Sequence, residues 1–313
     1  MKKLRLALFA AGLLSALPAQ AADKMTVVLD WFVNPDHAAL VVAQEKGYFA
    51  AAGLEVELIA PADPNDPPKM LAAKKADLAV GYQPQLIQGV AEGLPLVRVA
   101  TLVATPLNSV VVLENGPIKS IKDLKGKKVG YSVAGFEDAV LGAMLEKNGL
   151  SLKDVTLVNV NFTLSPSVIS GQVDAVIGAF RNFELNQMAE EKHPGRAFYP
   201  EEEGVPAYDE LVLLAHKDRV KDAKLRRFVD AVEKATLYIQ NHPEESWYLF
   251  IQNHKDLNDT LNQKAWAATL PRLDADPAAL DKARYERFAA FLKERGLIKK
   301  ALPVEAYAVE LAK

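Results

Sequence analysis

The chain has 313 residues, half of them hydrophobic and a quarter charged, with a formal net charge of −3 at pH 7 and no cysteine. Removing the basic residues Lys2, Lys3 and Arg5 with an N-terminal leader makes that charge more negative, which argues against nucleic-acid or anionic-membrane partners. The lack of thiols excludes disulfides, thiol chemistry and Cys-based metal sites, and no His pair has zincin spacing, so neither a metal site nor a cofactor is expected.

The leader comes first. Lys2, Lys3 and Arg5 precede an apolar run from Leu6 to Leu17, and Ala19-Gln20-Ala21 offers small residues for cleavage after Ala21 or Ala22. This pattern predicts a secretory signal peptide over residues 1–21 and a periplasmic protein. With no Cys after the site, a lipid anchor is not expected. No later stretch reaches the ~18 apolar residues of a membrane span.

Strand and helix signals then alternate. Strands are predicted at Thr26 to Trp31, Leu54 to Ile59, Leu78 to Tyr82 and Leu96 to Val103. Helices are predicted from Asp36 to Ala51, from Pro67-Pro68, and from Pro84 to Glu92. The strand runs are apolar on both faces, as parallel strands covered by helices are. A second series follows: strands Ser109 to Leu113, Lys128 to Ser132, Val155 to Asn161, Ala175 to Phe180 and Glu210 to Ala215. Its helices are Ile121 to Leu124, Glu137 to Lys147, Ser165 to Ser170 and Asn182 to Lys192. From Arg219 onward only helical spacing appears, including Leu225, Phe228, Val229, Val232, Ala235, Thr236 and Ile239.

The two series repeat each other. Asp77 follows a helix end and precedes an apolar run to Gly81; about 100 residues on, Asp174 and Gly178 do the same. Such a repeat predicts two similar α/β lobes with a cleft between them. Lobe 1 is expected to comprise residues 22–104 and 213–313, with the helical tail packed on it, and lobe 2 residues 105–212. Two crossovers make a hinge, and Pro106-Leu107-Asn108-Ser109 reads as its solvated part.

Ligands of open α/β sheets sit beyond the carboxyl ends of strands. The loop Trp31-Phe32-Val33-Asn34-Pro35-Asp36-His37 is so placed: Trp31 offers a stacking face or a core ring, and Asn34 a recognising amide or an N-cap. The repeated turns add Tyr82 and Gln83 in one lobe and Arg181, Asn182 and Glu184 in the other. Glu184 suits either an amino group on a ligand or the dipole of its own helix. The Tyr131 to Phe136 turn lacks a phosphate-loop pattern. The absence of a nucleophile elbow or assembled triad favours a binder over an enzyme, so no catalytic residue is nominated.

The stretch Leu29 to Val56, with its W-F-x-N-x-x-H motif followed by E-K-G-Y-F, resembles the opening of the ThiY-type substrate-binding proteins, in the same family as the fungal synthases of the thiamine pyrimidine. The segments D-L-A-V-G-Y and D-A-V-I-G-A-F-R-N-F-E fit the same family. The resemblance implies a type II periplasmic binding protein, expected as a monomer, that delivers a thiamine-related pyrimidine to an inner-membrane ABC permease. It nominates Trp31, Asn34 and Glu184 as ligand residues. Arg181 stands where pyrimidine binders are expected to carry an aromatic, and can pair with an anion. Alternative readings are a riboflavin-like heterocycle, a sulfonate or nitrate, or a synthase-like enzyme; the last lacks the fungal cysteine cluster.

Overall fold

A computed structural model describes residues 21–311. The predicted leader, apart from Ala21, lies outside the described residues. The first lobe begins with β1 (Asp23–Val28), then α1 (Ala38–Glu45), α2 (Tyr48–Ala51), β2 (Leu54–Ile59), α3 (Pro67–Ala72), β3 (Leu78–Gly81), α4 (Gln83–Ala91) and β4 (Leu96–Val103). The second contains β5 (Asn108–Leu113), β6 (Lys128–Tyr131), α5 (Phe136–Lys147), β7 (Thr156–Asn159), α6 (Leu164–Ile169), β8 (Ala175–Phe180), α7 (Glu184–Glu190) and β9 (Gly195–Phe198). The chain returns through β10 (Leu211–His216) and ends in α8 (Ala223–Asn241), α9 (Pro243–Gln252), α10 (Thr260–Thr269) and α11 (Lys282–Glu294).

Two five-stranded sheets result, ordered β2-β1-β3-β10-β4 and β7-β6-β8-β5-β9. Their spatial orders correspond strand for strand, as the internal repeat predicts. The sheets are mixed, which corrects the parallel reading of the strands. β1 pairs in parallel with β2 and β3, but β10 runs antiparallel to both β3 and β4, and β5 is antiparallel to β8 and β9. Apolar composition reports that both faces are covered, as they are here, and does not report strand direction.

Other differences have local causes. The predicted helix from Asp36 to Ala51 divides at Gly47, whose φ of 69° ends α1 and restarts the chain as α2. Its first residues, Pro35–His37, form a 3-10 turn capped by Asn34. Edge strand β9 escaped prediction: its four residues are only half-buried, too short a run to show alternation.

The tail packs as expected. Every residue of the apolar stripe on α8 named above is buried, and Phe228 stacks on Phe49 at 4.8 Å. α8 and α9 lie against α1, whereas α10 touches both the 35–37 turn and α7 of the other lobe. Buried Arg98 on β4 donates to the carbonyls of Pro277, Ala278 and Val309, which pins the segments before and after α11 to the first sheet.

The hinge is not solvated. Leu107, Asn108 and Ser109 are fully buried. The Glu210 carboxyl of the second crossover accepts from the backbone N–H groups of Leu107 and Asn108 in the first. A strand-to-strand link rich in Pro, Asn and Ser reads as loop by composition, yet here it passes through the core with its backbone donors satisfied by a side chain.

Candidate functional site

The cleft lies where the C-terminal ends of β1, β3, β6 and β8 face one another. Lobe 1 lines it with Asp30, Trp31, Asn34, Asp36 and Tyr82; lobe 2 lines it with Glu137, Leu164, Gly178, Phe180, Phe183 and Glu184. Its free volume is about 20 Å³, room for a single water. The space is too small for a ring-sized molecule. Contacts across the cleft hold it shut: Trp31 packs edge-on to Phe162 at 4.6 Å, and Phe32 lies 4.5 Å from the same ring. Asn65 donates to the Ser132 carbonyl (3.0 Å) and accepts from the Ala134 N–H (2.9 Å).

On the lobe 1 wall, Asn34, Asp30 and Tyr82 are tightly partnered, whereas Asp36 Oδ2 is buried without a partner. Asn34 Oδ1 accepts from the Asp36 N–H at 2.8 Å and Nδ2 donates to the Phe32 carbonyl, so Asn34 is an N-cap and also lines the cleft. His37 Nδ1 accepts from the Asn34 N–H, which leaves Nε2–H to donate to Asp30 Oδ1 at 2.9 Å. The Tyr82 hydroxyl donates to Asp30 Oδ2, also at 2.9 Å. The Tyr82 ring stacks on Phe136 at 5.0 Å, again across the cleft. Trp31 is half-buried against Phe162 and belongs to the cleft wall rather than to the main core.

Lobe 2 contributes two carboxyls held by backbone N–H groups. Glu184 Oε2 accepts from the Phe180 N–H (2.6 Å), and Glu137 Oε2 from the Ser132 N–H (2.7 Å). Burial pushes each up to about 8, despite those bonds, which favour the charged form. At neutral pH both are predominantly carboxylic acids, able to donate one hydrogen bond and accept another. A neutral Glu184 is of little use to its helix dipole. The Glu137 carboxyl occupies the space over Gly178, whose φ is +100°; a Cβ there would overlap it.

Three nominated residues do not line the cavity. Gln83 is buried at the hinge, where its Oε1 accepts from the Asp209 N–H at 2.8 Å. Arg181 turns away to pair with both oxygens of Glu201 and to cover the Tyr199 ring at 4.0 Å, so its charge is already neutralised within the chain. Asn182 lies behind the wall and donates to Asp36 Oδ1 at 2.6 Å and to Thr269. The structure thus brings together Trp31, Asn34, Tyr82 and Glu184 in the cavity lining. Sequence reasoning missed Asp30, Asp36 and Glu137. Their one signal was position beyond the ends of β1 and β6; as single acids in first turns, Asp36 and Glu137 look like ordinary helix-end charges.

The NMT1/THI5-like family model matches residues 34–246. A Haemophilus influenzae protein named for thiamine biosynthesis is 60% identical over 304 residues, 97% of each chain. The formylaminopyrimidine-binding protein of Halalkalibacterium halodurans is 36% identical over 78% of this chain and 75% of its own. A 4-amino-5-hydroxymethyl-2-methylpyrimidine phosphate synthase of Uromyces fabae is 30% identical over 77% and 74%. Among solved structures, the alkanesulfonate-binding protein SsuA of Xanthomonas axonopodis pv. citri superposes with a TM-score of 0.73 at 15% identity, covering 93% of this chain and 99% of that one. The fold is that of the periplasmic binding proteins.

Proposed function

The chain belongs to the NMT1/THI5-like family, and on that premise we propose that it is the substrate-binding component of an ABC importer, capturing a thiamine-related aminopyrimidine in the periplasm. The observation that carries this reading is the cleft wall: a half-buried indole beside two buried glutamic carboxyls and an Asn amide. Trp31 supplies a face for a flat ring. Glu184 and Glu137, each able to donate and accept, match the alternating ring nitrogens and exocyclic amine of an aminopyrimidine. The name of the Halalkalibacterium relative supports the same ligand class. The lining offers no Lys, Arg or His to neutralise a sulfonate or nitrate, and Arg181 is already paired with Glu201.

A binding role rather than a synthase role is favoured by the absence of cysteine, since the resemblance to the fungal enzymes implies a cysteine cluster. Mass spectrometry of ligand released from protein purified without refolding tests the proposal, alongside calorimetric titration with 4-aminopyrimidines, taurine and nitrate. A pyrimidine is expected in the released fraction, with no heat from the anions. Tight binding of taurine or nitrate alone, or turnover of a pyrimidine precursor, rejects it.

A further inference from the structure

Asn65 stands outside the cavity lining, in the loop that follows β2 of lobe 1, and its amide reaches the turn after β6 of lobe 2. Both N–H bonds and the oxygen of that amide are engaged. Nδ2 donates to the Ser132 carbonyl at 3.0 Å and to Asp63 Oδ1 at 2.8 Å, while Oδ1 accepts from the Ala134 N–H at 2.9 Å. The Asn65 backbone N–H also donates to Asp63 Oδ1, at 2.8 Å. These bonds hold the Asp63 carboxyl below its ordinary range, so it remains an acceptor at neutral pH. An inverted amide would set oxygen against both the Ser132 carbonyl and Asp63, and nitrogen against the Ala134 N–H. Only one orientation fits.

The Asp63 anchor lies within lobe 1, so it holds the Asn65 amide ready before the lobes meet; only the two bonds to lobe 2 depend on closure. What those bonds grip is tied to the site. Asn65 holds the Ser132 carbonyl, and the N–H of the same Ser132 donates to Oε2 of Glu137, a cavity-lining carboxyl, at 2.7 Å. We infer that Asn65 is a positioning residue for ligand capture: by docking on the 132–134 turn as the cleft shuts, it fixes the turn that holds Glu137 and slows release of the enclosed ligand. The inference rests on the ligand-binding reading above and is independent of which ring the cleft takes. Leverage favours the contact. β2 and β7 are the strands of their sheets farthest from the crossovers, which leave β4 and return through β10, so a bond made after β2 acts on the long arm of the hinge.

The chain has no cysteine, so a pair of spin labels can be placed through Glu57→Cys and Thr156→Cys, at exposed positions on β2 and β7. Pulsed electron resonance of the ligand-free protein is expected to show a short-distance, closed population that Asn65→Ala largely loses. Stopped-flow binding of 4-amino-5-hydroxymethyl-2-methylpyrimidine should show dissociation about five- to thirtyfold faster in Asn65→Ala, the loss of two neutral hydrogen bonds, with association changed by about twofold at most. Asn65→Asp keeps the acceptor but turns a carboxylate oxygen towards Ser132 and Asp63, and should be impaired at least as much. In a Glu137→Ala background, or Glu137→Gln if the former does not fold, adding Asn65→Ala should cost only about two- to threefold, because the group it positions is altered. An unchanged distance distribution, or an unchanged dissociation rate, overturns the inference. An equal cost in both backgrounds leaves Asn65 a latch without a hand in the site, and overturns the positioning role. If the pyrimidine does not bind the wild type, the pyrimidine reading fails, and the distance measurement still decides Asn65.

Discussion

The two lobes share a frame, and at one point the likeness extends to individual bonds. Asp77, before β3, accepts from the Thr26 N–H on β1 at 2.9 Å; Asp174, before β8, accepts from the Lys128 N–H on β6 at 2.8 Å. Each aspartate ties the start of one central strand to its neighbour. At the other end of the same strands the lobes diverge. Gly81 has ordinary backbone geometry and faces the Leu214 side chain, whereas Gly178 takes φ +100° and lies under the Glu137 carboxyl. The strand starts keep the frame and the strand ends make the site. Lobe 1 contributes an indole, an amide and two aspartates; lobe 2 contributes two buried glutamates whose carboxyls burial raises to about 8.

That contrast is sharpest in a pair of glycine substitutions. Gly178→Ala adds a Cβ in a conformation that strains any L-residue and displaces a buried carboxyl, so a loss of about 2–5 kcal/mol in unfolding free energy is expected. Gly81→Ala places its Cβ 2.8 Å from Leu214 Cδ1, the flexible end of a side chain, and about 1 kcal/mol is expected. Urea denaturation of both variants checks the ordering. Similar losses would mean that the lobes are equivalent at their strand ends after all.

This asymmetry explains what could be read from the chain alone. The frame was legible because β-strand runs such as Leu54–Ile59 and Ala175–Phe180 and the stripe on α8 carry their pattern locally. The Asp-to-Gly repeat likewise announced two lobes. Strand direction was not legible, because β10 joins its sheet from more than 100 residues away and its apolar composition is the same either way. Trp31, Asn34, Tyr82 and Glu184 were nominated because they follow strand ends, and all four line the cavity. Gln83 and Arg181 follow strand ends too, but the hinge and the Glu201 loop claim them, through partners distant in sequence. Glu137 and Asp36 became visible only when burial separated them from surface acids.

The lobes should also titrate in different windows. Glu184 has a folded pKa of about 8, above its ordinary 4.5, so its contribution to stability is complete below pH 4.5 and lost as pH rises through about 8. Asp36, raised from 3.8 to about 6, loses its contribution by the time pH has passed through about 6. The gap in unfolding free energy between wild type and Glu184→Gln should therefore keep changing up to pH 8, against the wild type, by roughly 1 kcal/mol per pH unit. The gap for Asp36→Asn should level off beyond about pH 6 to 7. Denaturation curves from pH 5 to 9 test this. A flat Glu184→Gln difference would show that the lobe 2 acid is solvated.

Binding should divide between the lobes as well. Trp31→Ala removes the ring face of lobe 1 and is expected to weaken pyrimidine binding by about 1–3 kcal/mol, by analogy with base stacking on aromatics. Glu184→Gln converts a carboxylic acid into an amide that still donates and accepts, and should weaken binding by about 1 kcal/mol. Calorimetric titration of both, beside thermal melts, separates loss of contact from loss of fold. Affinity unchanged in both would remove the cleft assignment.

The smallest effect concerns the cleft mouth, where Phe32 is 53% exposed yet lies 4.5 Å from Phe162 of the other lobe. This contact exists only while the lobes are together, so it stabilises the closed state over the open one. An aromatic pair contributes about 0.5–1.5 kcal/mol beyond its buried area. Phe32→Ala should shift the resting equilibrium towards open by that amount, and, because the ring sits outside the cavity lining, should weaken affinity only through the cost of closing. Small-angle scattering of the ligand-free variant should give a larger radius of gyration than the wild type, and the two should converge at saturating ligand. Phe162→Ala should reproduce the shift and add to it, since the same ring also meets Trp31 at 4.6 Å. A radius unchanged between free and liganded wild type would remove the hinge, and identical free radii for all three proteins would remove the aromatic contact as its latch.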